Sequence, residues 1–139
     1  MTRHELRDRV FKLLFRIEFN SAEDMPEQIK LFCDDEENGT FDDEDGKYVT
    51  AKYEKIKDSL DEIDKVINDN TTGWDTTRIG KVDLTVIRLA VYEMCYDEDV
   101  PAAVAMNEAV ELAKTYGQDN SGAFVNAVLT NIKKAKGIN

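Results

Sequence analysis

One histidine, two prolines, two cysteines and one tryptophan are spread over 139 residues, and each scarcity closes off a class of chemistry. The lone His4 stands near the N-terminus, too little imidazole for a paired acid–base site or a zinc cluster. There is no glycine-rich phosphate loop, and no serine or cysteine with a paired base. The many carboxylates read as solvated faces, so neither catalysis nor a cofactor is expected. Cys33 and Cys95 stand far apart, without ligand spacing and among apolar neighbours. A free thiol there behaves as a small hydrophobe, which predicts two core thiols in a reducing cytosol. No stretch approaches ~18 uninterrupted apolar residues, and Arg3, Glu5, Arg7, Asp8 and Arg9 interrupt the N-terminus. Neither a membrane span nor a signal peptide is therefore expected. Strand-period alternation is missing as well.

What is present is helical periodicity. From about Arg3 to Phe19, Leu6, Val10, Leu13, Leu14 and Ile17 keep the 3–4 spacing of a buried stripe. Ser21 to Asp24 forms a turn, and Pro26 opens a short helix with Ile29, Leu31 and Phe32 as its apolar contacts. Tyr48 to about Asn68 reads as the longest helix. Its seam of Val49, Tyr53, Ile56, Leu60, Ile63 and Ile67 is spaced as in a heptad repeat. After Gly73, Trp74 suits a core anchor and Asp75 a cap. Further helices cover about Val82–Tyr96, burying Val86, Ile87, Ala90, Val91, Met94 and Cys95, and a segment after Pro101 that ends at Tyr116. Gly117 is placed for a left-handed cap. A last helix starts at Asn120 or Ser121, buries Phe124, Val125, Val128, Leu129 and Ile132, and closes on Lys133, Lys134 and Lys136. The expected architecture is all-α: six or seven helices in two small packed bundles, about 1–70 and 74–139, within one domain.

Charge is unevenly distributed. The formal net charge is −11. Residues 1–16 hold five cations against two carboxylates, net +3, which leaves −14 on the rest. An acidic body repels phosphate at long range and suits a basic protein partner, yet leaves a local basic face able to dock a strand. On the first helix His4, Arg7, Phe11 and Phe15 share a stripe beside the apolar one, with Arg3 at its start. Arg9, Lys12 and Arg16 fall on a third face that reads as plain solvated charge. RNA is held by arginine on phosphate and by flat groups under unstacked bases, so the stripe has the right residue types. Phe11 and Phe15 are equally readable as core.

Eight of the twelve residues 34–45 are acidic. They read as a solvated loop. The alternative is a calcium loop with Asp34, Glu36, Asn38, Thr40, Asp42 and Asp45 as ligands and Gly39 at the turn. Against it, Asp45 is one methylene short of the usual bidentate glutamate and Glu36 one methylene too long. A second alternative is a structural homodimer joined through the Val49–Ile67 seam.

The strings Val86-Ile87-Arg88-Leu89-Ala90-Val91-Tyr92-Glu93, Val100-Pro101, Asn107-Glu108-Ala109-Val110-Glu111-Leu112-Ala113-Lys114 with Tyr116-Gly117, and Phe124-Val125-Asn126 together resemble the NusB family of bacterial transcription antitermination factors. Arg7 and Leu14-Phe15 fit more loosely. The resemblance implies a cytoplasmic, non-catalytic factor that binds the boxA element of ribosomal RNA leader transcripts. It implies a partner, the small-subunit ribosomal protein NusE, and a place in the antitermination complex on RNA polymerase. Neither DNA nor a membrane is among the implied partners. By the same resemblance RNA contacts map onto Arg3, His4, Arg7, Phe15, Asn120 and Phe124, and partner binding onto Asp83. The chain departs from the family where His4 and Glu5 replace common cations, which predicts low RNA affinity without the partner. Asn120 stands where an acid is frequent, which removes one repulsion from phosphate.

Overall fold

A computed structural model describes residues 1–35, 43–73 and 75–138. Trp74 and most of the acidic loop, with its calcium-ligand pattern, lie outside them. Of that pattern's described members, Asp45 lies in the first turn of a helix and accepts from the N-terminal amine at 3.2 Å. The described residues form seven α-helices and no strand. They fall into two compact units, Met1–Lys57 and Asp58–Asn139.

The first unit begins with α1 (Arg3–Phe15). Its start is a capping box: Thr2 Oγ1 accepts from the Glu5 amide at 3.1 Å, and Glu5 Oε1 accepts from the Thr2 amide at 3.1 Å. Two of the helix's orphan donors are thereby satisfied by a Thr-x-x-Glu pattern. Hydrogen bonding to the Glu5 carboxyl, from the Thr2 backbone amide first and the Thr2 side chain second, holds it below its ordinary range. The helix ends sooner than its periodicity predicts, tightening into a 3₁₀ turn over Arg16–Glu18. Val10, Leu13 and Leu14 are buried as expected, whereas Leu6 and Ile17 are half-buried.

The third face of α1 is not plain solvated charge. Asp8 is buried and ion-pairs Arg9 at 3.0 Å and Lys12 at 3.2 Å. Arg16 donates to the Gln28 carbonyl and to its side-chain oxygen, and lies over the Phe32 ring at 5.3 Å. That ties the 3₁₀ turn to α2 (Met25–Asp34), with Pro26 in its first turn. Met25 and Phe32, seven residues apart, make the buried side of α2. Leu31, expected inside, is 52% exposed, because it lies about 100° from Phe32 around the helix. The unit closes with α3 (Asp43–Asp58), whose Val49, Tyr53 and Ile56 are fully buried.

The expected long helix is broken. Ser59 leaves helical dihedrals (φ −104°, ψ 7°), and α4 (Leu60–Asp69) starts after it. Serine competes with the helical backbone and is a weak helix former. On either side of the break five of the six expected seam residues are buried, Val49, Tyr53 and Ile56 in the first unit and Ile63 and Ile67 in the second, all 0% exposed, while Leu60, at the break, is half-buried.

In the second unit α5 (Lys81–Tyr96) contacts α4, α6 (Ala102–Tyr116) and α7 (Ser121–Ala135), while α6 packs on α7. With neighbours on several sides, α5 keeps little solvent face along its middle and buries Leu84 to Ile87 and Leu89 to Glu93, with Lys81 and Tyr96 exposed at its two ends. Arg88, at its edge, reaches Asp64 of α4 through two 2.8 Å bonds. Met94 and Cys95 are only half-buried, as is Cys33, so neither thiol is a core residue. The chain ends α7 in a Schellman turn: Gly137 has φ +64°, and Ile138 N donates to the Lys133 carbonyl at 3.0 Å. Among the described residues no helix is long and apolar enough to cross a membrane.

Candidate nucleic-acid interface

The cation–aromatic stripe of α1 divides once the chain is folded. Arg3 and His4 are exposed at the start of the helix. Arg7, expected to hold phosphate, is instead buried at 7% exposure, and Phe11 is buried at 3%. Their position one and two turns further along carries them under the surface. Phe15 is half-buried, stacked on Phe11 with centroids 6.0 Å apart and edge-on to Phe19 at 5.1 Å. Of the two readings left open by periodicity, Phe11 is core and Phe15 sits at its rim. Phe19, 60% exposed, is the ring that sequence reasoning overlooked. Its signal was the i, i+4 series 11–15–19, which runs past the end of α1.

The second unit carries a cleft of about 430 Å³ lined by Ile79 to Asp83, Tyr116 to Gln118, Asn120, Ser121 and Phe124. Three residues singled out for two different roles, Asp83, Asn120 and Phe124, therefore share one depression. The first turn of α5 supplies one wall and the joint between α6 and α7 the other. Before the cleft, Asp75 fixes the approach to α5: its carboxylate accepts from the Thr77 hydroxyl and from the Thr77 and Arg78 amides. Those bonds, the Thr77 side chain first, hold Asp75 below its usual range.

Both helices point their N-terminal ends at this region, and neither is capped by a side chain among the described residues. Gly80 precedes α5, and Asn120 precedes α7 without bonding its amides. Asparagine is a strong N-cap from extended backbone, but Asn120 has φ −95° and ψ −2°, so its exposed amide is not folded back onto the helix. Each helix start contributes about half a positive charge. Lys81 adds a full one at an exposed position, against the half-buried Asp83. The cleft thus offers donors, a cation and two aromatic rings within a unit that is otherwise acidic. Phe124 is half-buried and Tyr116 is 37% exposed. Lys81, Tyr116 and Gln118 escaped sequence reasoning because each reads locally as a helix end.

Comparison with known proteins follows the same outline. The NusB family model matches residues 4–134. A transcription antitermination protein NusB from Agathobacter rectalis is 50% identical over 129 residues, covering 93% of this chain and 97% of that protein. The protein of that name from Lachnoclostridium phytofermentans is 42% identical over 132 residues, covering 95% and 98%. Among solved structures, T. maritima NusB superposes with a TM-score of 0.85 at 36% identity, over 96% of this chain and 92% of that one. A crystal structure of antitermination factors NusB and NusE in complex with dsRNA gives a TM-score of 0.82 at 27% identity, over 96% of each chain.

Proposed function

The chain belongs to the NusB family, a family of non-catalytic factors, and from that premise we propose that it is an RNA-binding transcription antitermination factor. The RNA is the boxA element of ribosomal RNA leader transcripts. The partner is the ribosomal protein NusE, and the setting is the cytoplasmic antitermination complex on RNA polymerase. The observation that carries the reading is the cleft that gathers Phe124, Asn120 and Lys81 beneath two helix starts. A neutral asparagine there does not repel phosphate, and the Phe124 ring offers a plane to an unstacked base. Asp83, on the same wall, is the proposed partner contact, and the acidic remainder favours a basic ribosomal protein. On the first unit the phosphate contacts are Arg3 and His4, with Phe15 and Phe19 as the neighbouring rings. Arg7 is buried and is left out of the proposed phosphate contacts.

Filter binding of a boxA strand, with and without NusE, tests this. Phe124→Ala is expected to weaken binding by about tenfold or more, since one base stack is worth ~1–3 kcal/mol. Arg3→Glu is expected to lower affinity and to flatten the salt dependence by one to two phosphate contacts. Wild-type affinity in both variants, measured at the same salt, removes the site.

A further inference from the structure

We propose that Gly117 and Ser121 are positioning residues, whose contact sets Asn120 and Phe124 in the orientation that receives RNA; this deepens the RNA reading of the cleft and rests on it. Gly117 was expected to be glycine for a left-handed cap. The structure gives it φ −95° and ψ −162°, extended backbone open to any residue. Its requirement is one of space. A Cβ there would lie 2.5 Å from Ser121 Oγ, 2.7 Å from Ser121 Cβ and 2.7 Å from the Ala113 carbonyl oxygen.

None of the three atoms is free to retreat. The Ala113 carbonyl accepts from the Gly117 amide at 2.8 Å and closes α6. Ser121 is 2% exposed, and its hydroxyl accepts from the Gln118 amide at 2.9 Å. The Ser121 amide in turn donates to the Gln118 carbonyl at 3.0 Å. This reciprocal pair pins the hydroxyl against position 117. Asn120 is the next residue back, and its carbonyl accepts from the Phe124 amide at 3.0 Å. The first turn of α7 therefore moves as one piece. Any side chain at 117 displaces that turn and carries the Asn120 amide and the Phe124 ring with it.

Equilibrium binding of the full-length protein to boxA RNA, with circular dichroism and amide NMR on the same samples, decides the matter. Gly117→Ala is expected to lose about tenfold in affinity, with native helicity and with displaced amide signals from Asn120 to Phe124. Removing the opposing side chain in the double variant Gly117→Ala/Ser121→Gly is expected to recover part of that loss and to return those signals toward their original positions, a non-additivity that general destabilisation does not produce. If Gly117→Ala is unfolded at the assay temperature, Ser121→Ala takes its place. It adds no atoms, and its expected loss is about threefold, from the unheld Gln118 amide. Wild-type affinity in the folded variant while Phe124→Ala weakens binding overturns the positioning role and leaves the RNA reading standing. Wild-type affinity in Phe124→Ala as well removes the RNA reading and the positioning role with it.

Discussion

The Asp64–Arg88 pair fastens α4 to α5, the helix whose first turn forms one wall of the cleft, and its strength follows from its geometry. Two parallel bonds of 2.8 Å put the charge centres roughly 4 Å apart, worth about 4 kcal/mol at an effective dielectric of 20. The side chains keep 13% and 25% of their surface in water, so solvent screens part of that attraction. Ordering a long arginine costs up to about 2 kcal/mol more. A coupling of about 1.5 kcal/mol remains, above the ~0.2–1 kcal/mol of exposed pairs because the fork is bidentate. With unfolding entropy near 2.1 cal/mol/K per residue, that coupling corresponds to about 5 °C in Tm for the chain. The assay is a double-mutant cycle of Asp64→Ala, Arg88→Ala and the double variant, by urea denaturation monitored through helicity. The single variants are expected to destabilise by more than the coupling, since each leaves one charge half-buried, and the double variant by less than their sum. A coupling below about 0.3 kcal/mol, the usual error of additivity, refutes the reasoning.

Three further outcomes are expected. Tyr53 Oη is buried without a hydrogen-bond partner among the described residues, and burial pushes its pKa up; Tyr53→Phe is expected to be neutral or to stabilise by about 1 kcal/mol, and a comparable loss on denaturation would show a hidden partner. Glu5 has a folded pKa below its ordinary value near 4.5, so its contribution is present above that value and fades as pH falls through the depressed one. Thr2→Ala keeps the backbone amide and loses the hydroxyl, so the Glu5 carboxyl carbon should titrate part of the way back toward the ordinary value by NMR; an unchanged midpoint contradicts the share assigned to the Thr2 side chain. Burial raises the Cys95 thiol pKa, so iodoacetamide at pH 8 should alkylate it more slowly than free cysteine, and an equal rate contradicts that environment.

The helices and their order were legible in the sequence because periodicity, proline and capping residues act within a turn or two of themselves. Leu13, Val49, Ile63, Val86 and Leu129 are buried as their spacing predicts. The motif strings also named the family before any coordinate was known. Three things were not local and could not be read. Ser59 divides what a seven-residue repeat presents as one helix, because the repeat records which side is buried and not whether the backbone is continuous. Arg7 shares a stripe with exposed His4, yet only the packed chain decides how deep each position lies. Gly117 was correctly marked as a place where glycine matters, for the wrong reason: a turn conformation is a property of one residue, whereas the closeness of Ser121 and Ala113 depends on two helices meeting. Sequence alone thus settled which faces are apolar and which residues end each helix; the folded chain decided which cations stay in water, and brought Asp83, Asn120 and Phe124 to one cleft, because distance in space is set by packing rather than by position along the chain.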